Sequence, residues 1–139
     1  MRLERKRQRR QENRLAILDA AEKVFAQQGF GLATVDAIAA EAQFSKATLY
    51  RYFKSKSEIF FEIILRSFDE VAERLEEIQK EEKEAQEKLK DIIRFILHFY
   101  HDKKHISRIF LMEKSQMMRV FHLPTLEMSP NDKRHLQLL

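Results

Sequence analysis

Eight positions between Thr34 and Lys56 carry the chemistry this chain offers: Thr34, Ser45, Lys46, Ala47, Thr48, Tyr50, Tyr52 and Lys56. They supply hydroxyl, phenol and ammonium donors, with one methyl at Ala47, and no acidic pair or activated nucleophile stands among them. Donors in this arrangement suit an anionic polymer: some reach phosphate oxygens, and those on a short exposed helix reach base edges in a major groove. Ala47 offers its methyl either as a contact for a thymine methyl or as a limit on approach to the backbone.

Two short helices must position these groups. Thr34 suits an N-cap, Asp36 suits the positive end of the dipole, and Val35, Ile38, Ala39 and Ala42 fall on one face, so the first helix reads as a buried brace. Ser45 caps a second helix of little more than a turn, with Ala42 and Leu49 facing inward and Lys46, Thr48 and Tyr50 left outside. This is the pattern of a helix-turn-helix, whose second helix enters the major groove of DNA. Tyr50 and Tyr52 flank Arg51, where a phenol donates to phosphate while its ring packs on sugar; burial of both rings is the competing reading. Lys56 sits in the first turn of the next helix, as a phosphate clamp or as a solvated lysine. Thr34 reads as a cap alone, or as a cap that also donates to phosphate.

The run Thr34-Val-Asp-Ala-Ile38-Ala-Ala-Glu-Ala42, then Ser45-Lys-Ala-Thr-Leu-Tyr50-Arg-Tyr52-Phe53 and Ser55-Lys56, closely resembles the DNA-binding signature of TetR-family transcriptional regulators. The likeness covers about Leu15 to Ile64 in register. It implies DNA contact by the eight positions above; Ala47 departs from the glycine common in the family, which leaves the bases read open. It also implies a homodimer on a near-palindromic operator, repression, and release by a small effector bound in the second part of the chain. Further helices normally follow in that family and form most of the dimer interface, so the chain is expected to be shortened.

The bulk composition agrees with an all-α fold. Two glycines and two prolines in 139 residues leave little punctuation for strands, while Ala, Leu, Glu, Lys, Gln and Arg favour long helices. No cysteine is present, which excludes disulfides and thiolate metal sites and fits a reducing cytoplasm. No apolar run approaches the roughly 20 residues of a membrane span. Up to Lys56 there are 12 basic residues against 6 acidic, and from Ser57 onward 14 against 16, so positive charge gathers with the helix-turn-helix.

Three segments follow from this pattern: a basic arm over 1–11, a DNA-binding domain over 12–56, and a helical effector and dimerisation domain over 57–139. Arg2 to Arg14 hold seven basic side chains, read either as a solvated tail or as an arm that tracks phosphates or enters the minor groove. The first helix is expected from Glu12 or Asn13, with Ile17, Ala20, Ala21, Val24 and Phe25 as its apolar stripe and Gly29 as a left-handed cap. Phe30, Val35, Ile38, Phe44, Leu49 and Phe53 then form the small core. Ser55-Lys-Ser-Glu58 has the form of a capping box opening a long helix through Ile78, with a break between Gln79 and Glu84. Helices over about 85–102 and 106–121 follow, and Ser129-Pro130 opens a last one.

In the second segment Phe68, Phe95, Phe99, Phe110, Met117 and Phe121 suit either ordinary core or the lining of a cavity for a lipophilic effector. His98, His101 and His105 invite a metal reading, but Asp102 replaces the glutamate of the HExxH motif and Lys103 and Lys104 disfavour a cation. The expectation is a ligand-responsive regulator that uses no metal or cofactor and performs no catalysis. Two alternatives stand beside it: a non-dimerising DNA-binding or partner-titrating protein, and, more remotely, a metal-dependent enzyme built on these histidines.

Overall fold

The computed structural model describes residues 1–120, with side-chain packing as far as Met112. Within that range the chain is all helical: α1 (Arg2–Gln28), α2 (Val35–Ala42), α3 (Lys46–Tyr50), α4 (Lys56–Lys80), α5 (Ala85–Asp102) and α6 (Lys104–Val120). The expected helix from Ser129-Pro130 lies outside the described residues.

The expected stripe of α1 is the wall of the core: Ile17, Ala20, Ala21, Val24 and Phe25 are all buried. Ile38, Leu49 and Phe53 close it from the other side, with Phe30, Val35 and Phe44 half-buried at its edge. Phe25, Phe30 and Phe60 meet with ring centroids 5.4–5.6 Å apart, a packing that ties α1, the following loop and α4 together.

Helix α1 corrects the expected start. It runs from Arg2 rather than from Glu12 or Asn13, so the basic segment is the first part of the helix. The reason is composition: Arg, Lys, Gln, Glu and Leu are all good helix formers, and no Gly or Pro interrupts them before the core turn. At the other end Gly29 has a positive φ of 77°, but its ψ of 161° lies outside the left-handed helical region that a simple cap would use. Its amide still donates to the Phe25 carbonyl.

Helix α4 contributes Ile59, Phe60, Ile63 and Ile64 to the same core, and its buried Ser67 donates its hydroxyl back to the Ile63 carbonyl at 3.0 Å. The break at 81–84 falls inside the expected interval. Helix α5 packs on α4 yet contributes no fully buried residue. Helix α6 returns to the first part of the chain, placing Ile106 in the core and Ile109 and Phe110 against it. The core therefore joins the N-terminal helices to α6 rather than ending at α4.

Candidate nucleic-acid interface

The turn between α2 and α3 is built by backbone bonds. Gln43 takes the left-handed conformation (φ 61°, ψ 36°); its amide donates to the Ala40 carbonyl at 3.1 Å, and the Phe44 amide donates to Ala39 at 2.9 Å. This pair of bonds is a Schellman motif, which stops α2 and reverses the chain within three residues. Phe44 then packs against the core and anchors the turn.

Both expected caps are present. Thr34 Oγ1 accepts from the Ala37 amide and Ser45 Oγ accepts from the Thr48 amide, each at 3.1 Å. Ser45 Oγ also lies 2.8 Å from Thr48 Oγ1, so the two hydroxyls share a proton-donor position on the surface of α3. Leu49 is fully buried and fixes the rotation of this five-residue helix, leaving Ser45, Lys46, Ala47 and Tyr50 exposed and Thr48 half-exposed. Lys46 Nζ lies 3.3 Å from Asp36 Oδ1, an exposed pair that costs little to break and keeps the ammonium on the α3 side.

The two tyrosines differ. Tyr50 projects into solvent, whereas Tyr52 is half-buried and its phenol oxygen accepts from Asn13 Nδ2 at 3.1 Å. Tyr52 is thereby fixed to α1 with its hydroxyl proton still available to an acceptor. Arg14 belongs to the same joint: it pairs with Glu62 at 2.8 Å, donates to the Tyr52 carbonyl at 3.4 Å and stands over the Phe53 ring at 4.6 Å.

Lys56, read as a phosphate clamp or as a solvated lysine, makes contacts within the fold that neither reading names. Its ammonium turns toward the α1–α2 loop, donating to the carbonyls of Phe30 at 2.6 Å, Ala33 at 3.0 Å and Gly31 at 3.4 Å, and lies 4.6 Å from the Phe30 ring centre. Three carbonyls and an aromatic face use its donors, so in this structure Lys56 is a staple of the fold. The capping box is also displaced by one residue: Ser55 Oγ accepts from the Glu58 amide, but Glu58 Oε2 accepts from the Lys54 amide rather than from Ser55.

Sequence reasoning missed the link from this unit to the later helices. Arg66 on α4 donates to Glu22 Oε1 at 2.8 Å and to Asp19 Oδ1 at 2.7 Å, while Lys103, between α5 and α6, reaches Glu22 Oε2 at 3.0 Å. Burial pulls the Arg66 guanidinium down, but the hydrogen bonds and charges of Glu22 and Asp19 outweigh it and hold it above its ordinary value. The three residues lie 44 and 81 positions apart in sequence, so no local pattern announces them.

The positions expected around an effector lie in pairs. Phe68, exposed, meets Phe110 edge-on at 6.4 Å, and Phe95 meets Phe99 at 5.8 Å along α5. Met117 falls beyond the described side chains and Phe121 outside the described residues. The histidines fall on two helices: α5 ends at Asp102, so His105 lies in the first turn of α6 while His98 and His101 stay on α5. Among the described residues no three His, Cys, Asp or Glu side chains are placed to hold a metal ion, and no helix is long and apolar enough to cross a membrane.

Residues 17–63 match the family model described as bacterial regulatory proteins, tetR family. The chain is similar to the fatty acid metabolism regulator protein of Bacillus subtilis strain 168, 37% identical over 79 residues, which is 57% of this chain and 41% of that protein. It is 30% identical over 102 residues to the HTH-type transcriptional activator FasR of Mycolicibacterium smegmatis, covering 73% of this chain and 47% of that one. Among solved structures, a TetR-like transcriptional regulator from Rhodococcus sp. RHA1 superposes with a TM-score of 0.63 at 28% identity, over 79% of this chain and 61% of that one. The chain spans about half the length of the curated relatives it matches.

Proposed function

We propose, from the match of residues 17–63 to the tetR family of bacterial regulatory proteins, that the chain is a DNA-binding transcriptional regulator whose helix α3 reads the major groove of a near-palindromic operator as part of a homodimer. The observation that carries this reading is the geometry of α3: a capped single turn pinned by Leu49, its outer face made of Ser45, Lys46, Ala47 and Thr48, with Tyr50 and Tyr52 at its exit. Tyr50, Tyr52 and Thr34 donate to phosphates and set the register, and the α3 face supplies base preference. Lys56 supports this surface from beneath.

The regulatory half of the proposal is a small lipophilic effector bound among α4, α5, α6 and whatever follows them. The similarity to a regulator of fatty acid metabolism supports an acyl compound as its class. Binding there would move α4 and the α5–α6 junction together, since both are tied to Glu22 of α1, and change the spacing of two recognition helices from the roughly 34 Å that successive major grooves demand. Repression relieved by effector is the expected sign. The likeness to a named activator favours the opposite sign as a second reading, and a reporter transcribed from the selected operator separates the two.

Selection of bound sequences from random duplexes tests the proposal. Enrichment of paired half-sites one helical turn apart, abolished by Tyr50→Ala or by Thr48→Ala with Lys46→Ala, is the expected result. No enrichment at all rejects the DNA-reading role, and a persistent monomer in sedimentation at micromolar concentration rejects the dimer.

A further inference from the structure

The first buried residue of α1 is Ile17, and residues 1–12 are exposed, so the first three turns of this helix have no packing partner. Six cations stand on them: Arg2, Arg5, Lys6, Arg7, Arg9 and Arg10. Among the described residues none of the six pairs with a carboxylate; the side-chain bond of this segment runs from Gln8 Nε2 to Glu12 Oε1 at 3.2 Å. Arg14 differs, being held by Glu62, the Tyr52 carbonyl and the Phe53 ring.

The cations have a direction. Arg2, Lys6, Arg9 and Asn13 succeed one another by four, three and four residues, one line along a helix surface. Asn13 ends that line by donating to Tyr52 Oη at 3.1 Å, at the exit of α3. The charged line therefore leads to the same side of the molecule as the recognition surface. Arg2 with Lys6, Arg5 with Arg9 and Lys6 with Arg10 are like charges at i, i+4, a repulsion that a polyanion lying along the helix removes.

We propose that the first three turns of α1 form a rigid basic rail that lies on the phosphate backbone of duplex DNA, beside the site that α3 reads. This rests on the helix-turn-helix reading above. The helical state decides between the two roles open to a basic arm: an α-helix with side chains is about 10–12 Å across and a minor groove about 6 Å wide, so the segment lies on phosphates rather than entering the groove. Because phosphates carry no sequence, the rail adds affinity to every duplex equally.

The test uses the full 139-residue chain, a duplex from the selection and a scrambled duplex of the same length, titrated between 50 and 200 mM salt. The variant Arg2→Gln, Arg5→Gln, Arg9→Gln keeps helix formers at all three positions. Its log–log salt slope is expected to be shallower by roughly 2–3 on both duplexes, so that its affinity loss across that salt range is roughly 40-fold smaller. Its sequence preference stays that of the parent. An unchanged slope with sequence preference intact overturns the rail alone, whereas a parent chain with no sequence preference overturns the helix-turn-helix reading. A loss confined to the selected duplex overturns the phosphate assignment in favour of base reading. If the variant loses binding to anionic phospholipid vesicles but not to DNA, the partner is a lipid surface and the proposal fails.

Discussion

Lys103 Nζ lies 3.0 Å from the Glu22 carboxylate, and with that contact the junction of α5 and α6 is fastened to the middle of α1. Arg66 holds the same carboxylate from α4, so one acidic side chain, 20% exposed, receives two cations from two different helices. Removing its charge leaves Lys103 half-buried without a counter-charge and Arg66 with Asp19 alone. Glu22→Gln is expected to cost about 1–2 kcal/mol in urea unfolding. A double-mutant cycle with Lys103→Met should give a coupling of about 0.5–1.5 kcal/mol; strictly additive effects would show that the pair is incidental.

Lys56→Met retains the aliphatic stem and deletes the ammonium that three loop carbonyls share. The carbonyl of Phe30 is part-buried, so its lost partner is expensive to replace with water. The variant should lose about 1–2 kcal/mol of stability while keeping the salt slope of DNA binding within about half a unit of the parent. A slope lower by a full phosphate contact with normal stability would return Lys56 to the role of clamp.

Gln43 occupies a backbone region where an L side chain costs about 1–2 kcal/mol, and the Schellman bonds hold it there. Glycine relieves that cost but adds freedom to the unfolded chain, so Gln43→Gly should stabilise by about 0.5–1 kcal/mol. Gln43→Val should destabilise by more than that. Thermal melts of both variants check the pair, and a Gly variant that melts lower contradicts the geometry.

The Asp91 carboxyl sits below its ordinary range because the Lys83 ammonium donates to it at 2.9 Å, and Lys83 is raised in turn by Asp91 and Glu81. A depressed carboxyl stabilises the fold above its unfolded value of 3.8, and that contribution disappears as pH falls through the folded value. A raised lysine contributes below its unfolded value of 10.5 and loses it as pH rises through the folded one. Asp91→Asn should thus lower the urea midpoint slightly at pH 7 and progressively less toward pH 3. Because the pair is exposed, 1 M salt should erase most of the difference. A gap that widens in acid contradicts this.

Much of the helix-turn-helix was legible because its determinants are local. Thr34 and Ser45 bond amides three residues ahead, and the α1 stripe repeats with the period of its own helix. The break near Gln79 was legible as a run of charged residues without apolar period. The contacts of Lys56 were not legible for the opposite reason: its partners come from a loop 23–26 residues upstream, and only the folded path of the chain brings them beneath it. The start of α1 is not marked by an apolar period. A helix that packs against nothing has no such period, although its propensities were visible from Arg2 onward. Glu22 carries no local mark at all, since its two cations lie 44 and 81 residues further along the chain.

Helix α5 buries no residue completely, and Leu89, Ile93, Ile96, Leu97 and Tyr100 remain open to solvent. It is held by packing on α4, by Lys83 to Asp91 and by Lys88 to the Gln79 carbonyl at 2.8 Å. A unit so secured opens before the rest of the molecule. In native-state hydrogen exchange the amides of α5 would trade with solvent through a sub-global fluctuation, while those of α1 from Ile17 onward and of the first half of α4 would wait for complete unfolding. The expected order of opening keeps the core built by α1, α2 and α3 closed while α5 breathes.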